Sequence, residues 1–121
     1  MTKRLLSVSL FVIAAGVLLQ AFLAGLFISG TGPARMTHVI VGAVLPYLAI
    51  VPTVIAWRRS REDVVGRGDA VSATVLLGGL WVQEALGHMP FAISTTIHVP
   101  FGVVLFTLSF YLGIRAYQAG A

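Results

Sequence analysis

Apolar positions fill this chain in four long runs, with polar and turn-forming residues confined to the gaps between them. The first run spans Leu5 to Ser29, the second about His38 to Trp57, the third about Ala70 to His88, and the fourth about Ala92 to Tyr117. About 20 residues of helix cross a hydrocarbon core of roughly 30 Å. The pattern therefore predicts transmembrane helices over about 5–29, 38–57, 70–88 and 92–117, forming a single transmembrane domain over 1–121. Gly30 and Pro33 break the chain after the first helix, and Asp69 is expected to cap the third. Pro46, Pro52 and Pro100 fall inside apolar runs, where membrane helices tolerate them by bending. Lys3 and Arg4 ahead of the first run resemble the start of a signal peptide. That run, however, far exceeds the ~7–15 residues of a signal core, so it reads as a retained helix.

Charge orients these helices. Lys3, Arg4, Arg58, Arg59, Arg61, Arg67 and Arg115 all belong to one side, whereas Arg35 alone belongs to the other. By the positive-inside rule both termini are cytoplasmic, and loops 30–37 and 89–97 face outward. Short connections then favour an all-α, up-down-up-down four-helix bundle. The inner stretch RRSREDVVGRGDA is the one extended polar segment and reads as a solvated connector. Localisation follows as a multi-pass protein of the bacterial cytoplasmic (inner) membrane. The lipid bilayer is its first partner.

Composition agrees and narrows the chemistry. Only 10% of residues are charged and 58% are hydrophobic, against about a quarter charged in a soluble domain. The net charge of +4 follows membrane topology rather than a basic face, which excludes nucleic acid as a partner. There are no cysteines, so thiol catalysis, disulfides and thiolate metal sites are excluded.

The chain also repeats itself. LLQAFLAGLF (18–27) carries Gln20 and Gly25 in the first helix, and WVQEALGHM (81–89) carries Gln83 and Gly87 in the third. Each is followed by an outer loop and a histidine four residues before a glycine. MTHVIVGAVLP supplies His38 and Gly42; TTIHVPFG supplies His98 and Gly102. Two similar helix pairs related by an axis along the membrane normal account for this.

All three histidines, His38, His88 and His98, fall in one outer layer. In an up-down bundle the second and fourth helices lie diagonally, so His38 and His98 can approach one flat group from opposite faces. A haem b fits, because its iron takes two axial imidazoles between helices. Gly42 and Gly102 stand one turn beyond each histidine on the same face, where a side chain would meet the macrocycle. Gly25 and Gly87 offer similar room on the other helices. Arg35, Thr37 and Thr96 lie near the outer surface, within reach of propionates. Small residues at this spacing also serve simple helix packing.

Glu84 is the one acid inside an apolar run. Carboxylates at membrane depth face a cavity or a partner, and His88 lies one turn on. A proton relay, a hydrogen bond to a ligand and a contact to quinone are its functional readings; a satisfied carboxylate near the interface is the plain one. Gln20 and Gln83 suit hydrogen bonds across helices or to a cofactor.

The motifs LLQAFLAG with His38, and WVQEALG with His98, resemble those of haem A synthase and of small four-helix bacterial membrane proteins similar to one half of it. The resemblance covers nearly the whole chain. It implies that His38 and His98 are a haem ligand pair within one bundle. The chain has one bundle where haem A synthase has two, and Glu84 does not align with that family's glutamate. An electron carrier or haem-binding subunit is thus expected rather than a self-contained enzyme, with a redox protein or quinone as partner. Two alternatives stand beside it. One is an outward copper site of His38, His88 and His98 with Met36 and Met89, since imidazole and thioether suit copper. The other is a cofactor-free accessory subunit of a larger complex or homo-oligomer.

Overall fold

The computed structural model describes residues 2–61 and 66–120. Four helices account for almost all of them: α1 (Thr2–Ile28), α2 (Pro33–Ser60), α3 (Gly66–His88) and α4 (Ala92–Gln118). They are 27, 28, 23 and 27 residues long, and at about 1.5 Å per residue each exceeds the thickness of a hydrocarbon core. All four are apolar enough to cross a membrane. The chain is thus all-α, with the helices of a multi-pass membrane protein.

The starts of α2 and α3 differ from the sequence reading. Helix α2 begins at Pro33, five residues before His38, because proline at the first helical position loses no hydrogen bond. The turn before it is short, with Gly30 at φ +102°, a conformation glycine adopts without strain. Helix α4 starts at Ala92, as the apolar run predicts, and runs unbroken through His98, so the second outer connection is also short. Helix α3 begins at Gly66, which leaves Asp69 in the first turn rather than at the cap. An acid there still meets the positive end of the helix dipole, and Asp69 also pairs with Arg115 at 3.1 Å. Residues 62–65 of the polar connector lie outside the described residues.

Each helix packs on two others: α1 and α3 both lie against α2 and α4. Helices α2 and α4 therefore face each other across the bundle, as do α1 and α3. The interior interleaves large residues such as Leu6, Ile13, Leu76 and Leu105 with small ones such as Ala49, Ala70, Ala73, Ser7 and Ser109. Large apolar residues such as Phe22, Val75, Val103 and Tyr111 point outward. An apolar outer face suits lipid, and the small interior residues allow the helix backbones to approach closely. Hydroxyls tie neighbouring backbones at one end of the bundle. Ser7 Oγ donates to the Gly113 carbonyl at 2.9 Å, and the Thr53 hydroxyl is shared between the Ala49 carbonyl of its own helix at 2.8 Å and the Ala73 carbonyl of α3 at 3.2 Å. Lys3 Nζ donates to the Ala119 carbonyl at 2.6 Å, which brings the two terminal segments together.

The two helix pairs place equivalent residues in equivalent contacts. Gly16 lies against Leu45, and Gly79 lies against Leu105. Gln20 reaches over Gly42, and Gln83 reaches over Gly102. One sequence spacing relates Gly16 to Gly79 and Gln20 to Gln83. A second relates Leu45 to Leu105, Gly42 to Gly102 and His38 to His98.

Candidate functional site: a histidine pair across the bundle

The site begins with two backbone carbonyls. His38 on α2 sets its Nδ1 3.0 Å from the carbonyl oxygen of Gln20 on α1. His98 on α4 sets its Nδ1 3.0 Å from the carbonyl oxygen of Gln83 on α3. A carbonyl only accepts, so both Nδ1 atoms carry the proton and both Nε2 atoms keep a free lone pair. Helical carbonyls already hold one hydrogen bond, and the second lone pair is open only where the residue one turn later does not cover it. That residue is Gly87 after Gln83 and Ala24 after Gln20. A Cβ at Gly87 would stand 3.1 Å from His98 Cε1, so the glycine clears the approach of the imidazole.

Held this way, the two rings meet edge to face across the α2–α4 diagonal, with centres 6.3 Å apart and planes at 61°. Phe27 packs edge-on against His38, centre to centre 5.4 Å. Between the helices lies a cavity of about 70 Å³ whose polar lining is Gln20, His38, Gln83, Glu84, His88 and His98. Gln83 Nε2 donates to the His98 carbonyl at 2.9 Å. The side-chain oxygens Oε1 of Gln20 and Gln83 are buried with no hydrogen-bond partner among the described residues, an arrangement that native interiors rarely leave without a ligand or water.

The glycines divide. A Cβ at Gly42 would stand 2.5 Å from Gln20 Nε2 and 2.9 Å from Glu84 Oε2, and one at Gly102 would stand 3.0 Å from Gln83 Nε2. These notches therefore hold the amides and the carboxylate. Gly25 is exposed, with nothing within 4 Å of a Cβ position, and Arg35 is exposed; neither lines the cavity. Thr37 and Thr96 are exposed too, and the Thr96 hydroxyl is spent on the Ala92 carbonyl at 3.1 Å.

His88 lines the same cavity but is held within its own helix. Its Nδ1 donates to the Glu84 carbonyl at 2.9 Å and lies 3.5 Å from Glu84 Oε1. Among the described residues, no three His, Cys, Asp or Glu side chains stand together as a metal site. Sequence reasoning named the histidines but missed the carbonyls that orient them and the apolar lining of Val17, Leu45, Leu80 and Leu105. The matched spacing of Gly16 to Gln20 and of Gly79 to Gln83 was the available signal for the latter.

No protein-family model, curated protein or solved structure matches this chain.

Proposed function

We propose that this protein is a haem b-binding protein of the bacterial cytoplasmic membrane, an electron-transfer protein or subunit with His38 and His98 as the axial pair. The observation that carries this reading is the state of the two imidazoles. Metal-bound histidines donate their other ring N–H to a carbonyl or carboxylate, and both rings do so here. Their separation agrees as well. Two imidazoles on opposite sides of one metal ion, with bonds of about 2 Å and ring centres roughly 1 Å further back, stand about 6 Å apart; these stand at 6.3 Å.

The cavity as it stands is far smaller than a macrocycle, which needs several hundred Å³. A macrocycle would need the notches over Gly42 and Gly102, which the Gln20, Gln83 and Glu84 side chains occupy here. Haem held by two histidines supplies a one-electron couple with no open coordination position. The protein's own part is to fix both imidazoles through the Gln20 and Gln83 carbonyls and to keep the site between apolar layers.

In this reading the bundle is up-down-up-down with both termini cytoplasmic. The Lys3–Ala119 contact and the one-sided arginines support that orientation. The equivalent contacts of the two helix pairs support descent from a duplicated pair. The likeness to one half of haem A synthase extends to the ligand pair and not to oxidative chemistry on the haem.

Haem titration tests the proposal. Detergent-purified apoprotein should take up one haem b per chain, and Gly42→Leu, which fills one notch, should take up none while remaining helical. Uptake beyond one per chain without saturation, or equal uptake by Gly42→Leu, contradicts it.

A further inference from the structure

The two ends of the bundle are electrically unlike. All the basic residues except Arg35, and all the acids except Glu84, belong to the end away from the histidines. Arg35 and Glu84 cancel, so that end carries the whole net charge of +4. Its charge is also gathered. The start of α3 lies on the end of α2, where a Cβ at Gly66 would stand 3.3 Å from the Ser60 Cα and 3.5 Å from the Arg59 carbonyl oxygen. Arg67 of α3 therefore joins Arg58, Arg59 and Arg61 at the end of α2. Arg58, Arg61 and Arg67 are exposed, and Arg59 is half-buried. Asp69, the acid of this end among the described residues, is paired with Arg115 on α4. Glu62 and Asp63 lie outside the described residues, and with both ionised the four arginines are still in excess. One residue before the arginines stands Trp57, 44% exposed, with its indole N–H held by Thr74 Oγ1 of α3 at 2.9 Å. The ring is thus pinned across the α2–α3 boundary, at the level where membrane helices place tryptophan between hydrocarbon and head groups.

We propose that this end of the α2–α3 hairpin is a docking surface for the head group of an anionic phospholipid. Charge selects the sign, since basic clusters immediately beyond a membrane helix attract anionic lipid. The side-chain type selects phosphate, because a guanidinium presents a planar fork of donors that holds two phosphate oxygens at once. Position selects a lipid over a free anion. Val51 and Val54 precede Arg58 by seven and four residues, on the same face of α2, and both are exposed. A head group on the arginines therefore has an apolar helix face for its chains. Helix α2 has 28 residues, about 40 Å at about 1.5 Å per residue. That is several screening lengths of about 10 Å at 0.1 M salt, so the histidine end does not share the preference. The surface stands apart from the histidine site and acts whether or not that site is filled.

The two tryptophans make the test local. Trp81→Phe leaves Trp57 to report on the basic end, and Trp57→Phe leaves Trp81, in the other half of the bundle, as the control. Each protein is reconstituted in phosphatidylcholine bilayers containing either dibrominated phosphatidylglycerol or dibrominated phosphatidylcholine as quencher. The depth of quenching gives the relative binding constant of the two head groups beside each ring. At Trp57 the expected preference for phosphatidylglycerol is at least about threefold, and at Trp81 it is absent. Arg58→Gln combined with Arg59→Gln should abolish it, as should about 1 M salt, where the screening length is about 3 Å. Inorganic phosphate at matched ionic strength should leave it unchanged. Equal quenching by both lipids at Trp57, or an equal preference at Trp81, overturns the proposal. So does a preference that survives the double substitution in a protein of unchanged helical content, or one that inorganic phosphate removes, which would make the arginines a site for a free anion.

Discussion

At the scale of single residues, the fate of each glycine follows from what stands beside it. Gly42 makes room for two polar groups of two other helices, and Gly87 uncovers a carbonyl for His98. Forcing a side chain into such a close contact costs about 1–3 kcal/mol. Gly87→Val should therefore lower the thermal unfolding midpoint in detergent by several degrees, and Gly25→Ala should leave it unchanged or raise it, since Gly25 meets nothing and alanine favours helix. A midpoint for Gly87→Val equal to the parent's would remove the carbonyl-clearing role. These contrasts separate what could be read from the sequence from what could not. The motif His-x-x-x-Gly was visible, and a one-turn spacing does put both residues on one face. What fills the notch was not, because Gln20 and Glu84 reach Gly42 from α1 and α3, and helical periodicity within α2 carries no information about its neighbours' rotamers. Gly25 matches Gly87 in local motif yet faces open space, since the spacing that aligns the two halves pairs Gly25 with His88.

At the scale of helices, the apolar runs located all four elements and the start of the fourth, but not the starts of the second and third. The sequence reading opened the second helix at His38, taking Pro33 as a breaker. Proline at the first helical position is compatible with a helix, which moves the start to Pro33 and His38 into the second turn. Asp69 shows the same effect at α3, with a different consequence. It joins the start of α3 to the last turn of α4 through Arg115. Half-exposed pairs of this kind contribute at most about 1 kcal/mol. Asp69→Asn should shift the unfolding midpoint by no more than a few degrees and leave haem uptake intact, because the pair lies at the end of the bundle away from the histidines. A large loss of uptake in that variant would show that the two ends are coupled more strongly than side-chain contacts imply.

At the scale of the whole molecule, four helices long and apolar enough to cross a membrane, with large apolar residues on the outer face, describe a bundle suited to lipid. Single-cysteine labelling tests the proposed orientation cleanly, since the chain has no cysteine of its own. Ser29→Cys should react with a membrane-impermeant maleimide in intact cells, and Ala119→Cys should react only after lysis; the reverse pattern would invert the topology. The central claim is that the bundle clamps one metal centre between His38 and His98. Its most direct test is the visible spectrum of detergent-purified protein, oxidised and then reduced with dithionite, beside His38→Ala, His98→Ala and His88→Ala. The account predicts the sharp reduced bands of a low-spin haem b in the parent and in His88→Ala, lost or converted to high spin in the other two. A colourless parent protein from cells with ample haem, or a low-spin spectrum that survives loss of either His38 or His98, would contradict it.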